Sequence, residues 1–130
     1  MKFMVVDDST TMRRIIVNAL KSIGHTDTVE AGDGVEALER CDASVGFVIT
    51  DWNMPNMGGL ELIKRLRASE TTRNVPILMV TTRSMKEDIF TAAQAGISSY
   101  IVKPFTPQLL REKIESVLSR EASADAAGAA

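Results

Sequence analysis

Cysteine is almost missing from the 130 residues: Cys41 stands alone, so no internal disulfide can form and packing must hold the fold. It lies on the apolar side of a helical pattern, which reads as a buried structural thiol rather than a redox centre. Histidine is as scarce. His25 sits at a helix end remote from the acidic segments, a surface residue rather than a metal ligand. No excess of positive charge exists either: the net charge is −2 and the pI about 5.4. That excludes the basic patch that nucleic acid or anionic lipid requires. No stretch approaches the ~20 consecutive apolar residues of a membrane span. Met1-Lys2-Phe3 runs directly into a strand rather than a signal segment, so the expected location is cytoplasmic. There is no internal repeat and no heptad run, and the length suits one domain with one core.

What is present is alternation. Short apolar runs of strand length exchange with helical periods along the chain, which argues for a parallel sheet wrapped by helices. Phe3-Met4-Val5-Val6 is the first strand. Ser9 or Thr10 then caps a helix whose apolar positions Met12, Ile15, Ile16, Ala19, Leu20 and Ile23 follow the 3.6 period, ended by Gly24. Thr28-Val29-Glu30-Ala31 reads as a second strand, and Asp33-Gly34 opens a helix through Val35, Ala37, Leu38 and Cys41. Phe47-Val48-Ile49-Thr50 is the third strand; Leu60, Ile63 and Leu66 mark a third helix, with Lys64, Arg65 and Arg67 on its wet side. Ile77-Leu78-Met79-Val80-Thr81 is nearly continuous in apolar character, as expected of a central strand covered on both faces. A fourth helix carries Met85, Ile89, Ala92 and Ala93 and stops at Gly96. After Tyr100-Ile101-Val102, Pro107 begins a last helix with Leu110, Ile114, Val117 and Leu118 inward. The predicted fold is a (βα)5 unit over residues 1–120. Residues 121–130, rich in alanine and without a large apolar side chain, are expected to form a disordered tail.

The chemistry gathers where strands end, which in an open parallel sheet is where sites form. Asp7-Asp8 follows the first strand, Asp51 the third, Thr81 closes the fourth and Lys103 follows the fifth. Any one of these has an ordinary explanation, since paired acids often cap the next helix and Lys-Pro is a common turn. Four strand ends carrying such groups do not. Three carboxylates against one ammonium leave two negative charges, which a divalent cation would neutralise. Oxygen donors without histidine or thiolate favour Mg2+, with Mn2+ possible, over zinc. Mg2+ prefers one or two carboxylates plus a phosphate, and a carboxylate can itself attack phosphorus.

On these residues the chain resembles the receiver domains of two-component response regulators, most nearly those of the chemotaxis (CheY-like) type. The resemblance spans residues 2 to about 118 and rests on Val5-Val6-Asp7-Asp8, Asp51-Trp52-Asn53-Met54-Pro55-Asn56-Met57, Met79-Val80-Thr81, Ala92-Ala93-Gln94-Ala95-Gly96 and Tyr100-Ile101-Val102-Lys103-Pro104-Phe105. It implies a doubly wound, flavodoxin-like sheet with strand order 2-1-3-4-5, an order the residues alone do not give. It implies that Asp51 accepts a phosphoryl group from a chemotaxis-type sensor histidine kinase. Asp8 and Asp51 would be direct Mg2+ ligands with the Asn53 backbone carbonyl, and Asp7 would act largely through water. Thr81 would be the switch hydroxyl, Lys103 the phosphoryl-binding lysine and Tyr100 the aromatic that turns inward on activation. The Lys103-Pro104 bond is commonly cis in the family. The implied output face is the fourth helix, last strand and last helix, with Lys86, Ile89, Tyr100 and Val102 meeting a flagellar motor switch protein. A phosphatase is a further possible partner, and the protein is expected to be a monomer that does not touch nucleic acid or membrane.

The chain departs from the family at three positions. Gly58 stands where many receivers have Asp, at a capping cost of a few tenths of a kcal/mol. Thr82 is bulkier than the usual residue after the switch threonine and narrows access to the site. Arg83 puts a cation where the family tunes phosphoryl lifetime. The sequence leaves open a phosphorelay intermediate or a phosphorylation-independent interaction module. A haloacid-dehalogenase-type phosphatase would make Asp7 the nucleophile, but it needs Asp-x-Asp, which Asp7-Asp8-Ser9 does not supply.

Overall fold

A computed structural model describes the backbone of residues 1–129 and the side chains of residues 1–122. The elements alternate as the sequence predicts: β1 (Lys2–Val6), α1 (Thr10–Ser22), β2 (Thr28–Ala31), α2 (Gly34–Arg40), β3 (Val45–Thr50), α3 (Gly59–Ala68), β4 (Ile77–Thr81), α4 (Lys86–Ala95), β5 (Ser99–Val102) and α5 (Pro107–Ala129). All neighbouring strands pair in parallel, in the order β2-β1-β3-β4-β5. No helix among the described residues is long and apolar enough to cross a membrane.

Because successive side chains of a strand point to opposite faces, the sheet sorts its apolar residues into two cores. Phe3, Val5, Phe47, Ile49, Leu78, Val80 and Ile101 face α1 and α5, where Ile16, Leu20, Leu110, Ile114 and Val117 meet them. Met4, Val6, Val48, Ile77 and Met79 face the other way, toward Ala37 of α2, Leu62, Ile63 and Leu66 of α3, and Ala92 of α4. All five residues of β4 are buried, which explains its unbroken apolar run.

Local chemistry sets the helix ends. The Ser9 hydroxyl accepts from the Met12 N–H at 3.1 Å and the Asp33 carboxylate from that of Glu36 at 2.8 Å, capping α1 and α2. Gly96 closes α4 at φ 110°, a left-handed conformation that suits glycine. The Lys103-Pro104 peptide bond is cis. The backbone of α5 remains helical through Ala129, in keeping with alanine's high helix propensity. The disordered tail expected over 121–130 falls mostly on residues 123–130, outside those whose side chains are described.

Four expectations need correction. Arg67 is not on the wet side of α3. Its guanidinium turns inward, where Nη1 donates to the carbonyls of Val75 at 2.6 Å and Arg73 at 3.0 Å, while Nε and Nη2 both reach that of Gly96 at 2.9 and 2.8 Å. A planar fork can gather several carbonyls left over where α4 and the α3–β4 loop end; an ammonium cannot. In α3 the buried set is Leu62, Ile63 and Leu66, with Leu60 only half-buried. In α4 only Ala92 is buried: Ala93 is exposed, and Met85, Ile89 and Phe90 leave 64%, 38% and 64% of their surface in solvent. Cys41 is half-buried, and burial, with help from Asp42, pushes its thiol up, which keeps it protonated and inert.

Gly58 and Gly59 let the start of α3 press against the end of β3. A Cβ on Gly59 would lie 1.9 Å from the Asp51 carbonyl oxygen, and one on Gly58 2.8 Å from that of Trp52. Neither obstacle is a flexible side chain. Gly59→Ala is therefore expected to lower stability by about 1–3 kcal/mol and to displace Asp51. A urea midpoint indistinguishable from wild type would contradict so close an approach.

Candidate functional site

Strand register brings the predicted residues together. Val6 of β1 lies opposite Thr50 of β3, so the residues that follow, Asp7 and Asp51, leave adjacent strands side by side. Three backbone bonds carry the ladder one step beyond the strand ends: Asp51 N–H to Val6 O at 3.0 Å, Asp7 N–H to Ala31 O at 3.1 Å and Lys103 N–H to Thr81 O at 2.8 Å. The functional groups are thus held by paired backbone rather than by loose loop.

The Lys103 ammonium lies between two carboxylates, donating to Asp7 Oδ2 at 2.9 Å and Asp51 Oδ2 at 3.0 Å. The remaining oxygens are also engaged: Asp7 Oδ1 accepts from the Ser9 N–H at 2.9 Å and Asp51 Oδ1 from the Trp52 N–H at 2.6 Å. Asp7 is 1% exposed, Asp51 is buried, and Asp8 is open to solvent. Burial pushes the Asp7 carboxyl up, against the pull of the Ser9 N–H and Lys103, and the Asp51 charge adds to the rise. Burial works against the Lys103 charge, but its hydrogen bonds to Asp7 and Asp51, and their negative charge, hold its ammonium above the usual value.

Asp7, Asp8 and Asp51 each offer a carboxylate oxygen within 4.8 Å of the others. An all-oxygen set carrying three negative charges suits a hard divalent cation such as Mg2+, and the donors present fit one. Thr81 is fully buried at the end of β4, its hydroxyl accepting from the Arg83 N–H at 3.3 Å. Tyr100 is half-buried and donates its hydroxyl to the Arg83 carbonyl at 2.6 Å. Asn53 is exposed beside the site. Of the predicted output face, Lys86 and Ile89 are exposed while Tyr100 and Val102 are half-buried on one side of β5.

Some of what surrounds the site went unread. Arg13 bonds the Asp7 carbonyl and pairs with Glu30 at 3.0 Å, bracing β1 against β2 from α1. The Thr50 hydroxyl donates to the Asp51 carbonyl at 2.9 Å. Arg83 lies with its guanidinium carbon 4.5 Å from the Trp52 ring centroid and bonds the Asn53 side chain. No spacing rule announces these contacts, because each joins segments that meet only in the folded sheet.

A family model for the response regulator receiver domain matches residues 3–115. The chain belongs to the response regulator receiver family. This receiver is 54% identical over 120 residues to the chemotaxis protein CheY1 of Helicobacter pylori, covering 91% of this chain and 97% of that protein. It is 55% identical over 120 residues to the CheY homolog of Campylobacter jejuni, covering 91% and 92%. Among solved structures it is similar to the chemotaxis protein CheY4 of Vibrio cholerae, with a TM-score of 0.83 and 34% identity over 89% of this chain and 97% of that one. The receiver's acid cluster, open at Asp8 and closed at Lys103, stands at the strand ends that the fold uses for binding.

The raised Asp7 carboxyl carries a pH signature. The folded state holds that proton more tightly than the unfolded chain, so in metal-free solution its contribution to stability falls as pH rises from 3.8 through the raised folded value. The stability difference between wild type and Asp7→Asn, from urea midpoints with chelator present, is expected to decline across that window. A difference that is flat or grows with pH would refute the dominance of burial over the Ser9 and Lys103 contacts at Asp7.

Proposed function

We propose that this receiver is a stand-alone phosphorylation switch in which Asp51 takes a phosphoryl group from a phosphohistidine of a chemotaxis-type sensor histidine kinase. The observation that carries the reading is the Lys103 ammonium held against both Asp7 and Asp51. An Asp51 carboxylate oxygen attacks phosphorus; the new O–P bond forms as the P–N bond to imidazole breaks, and the leaving imidazole takes up a proton. Lys103 would receive the charge on the transferring oxygens, and the Thr81 hydroxyl would give a further bond to the product. Asp8, Asp51 and the Asn53 backbone carbonyl would hold Mg2+, with Asp7 acting largely through water; Mn2+ would serve in its place. When bound, the ion would supply charge neutralisation for the incoming phosphoryl oxygens. The protein is a switch with slow self-dephosphorylation rather than an enzyme acting on a separate substrate.

The output is a face made of α4, β5 and α5. Ile89 and Phe90 of α4 leave large apolar surface uncovered, which suits a protein target better than solvent. The chemotaxis names of the relatives support a chemotaxis role; the target in this reading is a flagellar motor switch protein, met in the cytoplasm by a monomeric receiver. Arg83 at the site rim and the bulk of Thr82 would set how fast a phosphatase or water reaches the aspartyl phosphate.

Intact mass after incubation with acetyl phosphate tests the assignment. One phosphoryl adduct is expected, dependent on Mg2+ and absent in Asp51→Asn, and its formation should slow by about 10²-fold in Lys103→Met. An adduct that persists in Asp51→Asn would move the chemistry to another carboxylate, and no adduct at all would leave an interaction module.

A further inference from the structure

α4 is held very differently at its two ends. At its C-terminus, Gly96 closes the helix, and its carbonyl is gripped by Arg67 through two bonds of 2.8 and 2.9 Å. Along its length only Ala92 is buried. At its N-terminus the capping residue is Met85, whose side chain makes no capping bond. Among the described residues, the one side-chain tie that joins this end to the rest of the fold is the ion pair between Arg83 and Asp88, at 3.4 Å. The helix is thus pinned at one end and tethered at the other.

The tether does not end in the β4–α4 loop. The same guanidinium bonds Asn53 Oδ1 through Nη2 at 3.1 Å and Nε at 3.3 Å, and it stacks on Trp52 at 4.5 Å. Trp52 and Asn53 are the two residues that follow Asp51. The Arg83 N–H is bound to Thr81 Oγ1 and its carbonyl to the Tyr100 hydroxyl, so its backbone is fixed while its side chain spans two segments. One cation is therefore shared between the loop of the acid site and the first turn of α4.

We propose that Arg83 is a positioning residue that couples the Asp51 loop to α4: an anion added at Asp51 draws the guanidinium from Asp88 and frees the N-terminal turn of the helix. The second half rests on the phosphoryl reading above. A phosphoryl group brings more negative charge than a carboxylate and accepts arginine's fork in the same way, so it competes for the guanidinium with advantage. Trp52 holds the flat cation near the site as it leaves Asp88. Freedom at the N-terminal turn would reach Lys86, Ile89 and Phe90 first, the residues of α4 that face a partner, while the Arg67 anchor keeps the far end in place.

Amide hydrogen exchange, followed residue by residue by NMR on the full chain, tests both halves. Without any phosphodonor, Arg83→Ala and Asp88→Asn are each expected to speed exchange at Asp88 and Ile89, whose N–H groups bond the Met85 carbonyl, by about three- to tenfold. The double variant should go no further than Arg83→Ala, since both changes cut one contact, and Gly96 should not respond. Unchanged exchange in both single variants, or full additivity in the double, overturns the tether. Beryllofluoride with Mg2+ should then speed the same amides in wild type and add nothing in Arg83→Ala, with Arg83→Lys between them. Beryllofluoride that shifts the Trp52 resonance yet leaves these amides unchanged overturns the release. If beryllofluoride does not bind wild type, the phosphoryl reading fails together with the release, while the donor-free variants still decide the tether.

Discussion

The carboxyls of Asp7 and Asp51 leave neighbouring strands side by side, both almost out of water, and the sheet holds them there with a cation between them. Lys103 is that cation, and its place depends on every strand register in between. Its backbone bonds Thr81 at the end of β4, which pairs with β3, which delivers Asp51 beside β1 and Asp7. A register slip of one residue in any of these ladders would turn the charged group into a core or move it out of reach. Conversely, the compensation is partial: one ammonium against three carboxylates leaves a site whose chemistry is governed by unbalanced charge. The two apolar cores give the sheet the stability to hold that imbalance.

The strand ends were legible because they break a pattern. A charged residue at the close of a short, mostly apolar run has few places to be other than the exit of a buried strand, and Asp7, Asp51 and Lys103 each stand so. Strand order could not be read in that way, since nothing in a parallel strand names its neighbour; it came from the family resemblance. Arg67 was misread because helical spacing places it beside Lys64 and Arg65, and the carbonyls it serves approach only when α3 and α4 pack. α4 was misread for the opposite reason. Apolar spacing in Met85, Ile89 and Ala92 establishes that a stripe exists, not that anything covers it. The site's chemistry was thus written locally, while its bracing by Arg13, Thr50 and Arg83 was written across the fold.

Arg67 and Arg83 share a role at different distances from the acid site. Arg67 collects main-chain carbonyls, which have nowhere else to go, so its position is fixed by unsatisfied backbone. Arg83 collects side chains, Asn53, Asp88 and the Trp52 face, each of which has solvent as an alternative. The first is a structural fastener and the second can be exchanged. That difference decides which end of α4 is free to respond to charge.

Gly58 and Gly59 have a bearing on how the chain could vary. With no side chain at position 58, the Trp52 carbonyl has settled where a Cβ would otherwise be, 2.8 Å from it. An aspartate at this position would thus ask the loop beside the acid site to retreat before the new cap could form. Its cost exceeds what capping propensity alone would disclose, because Trp52 has to move first.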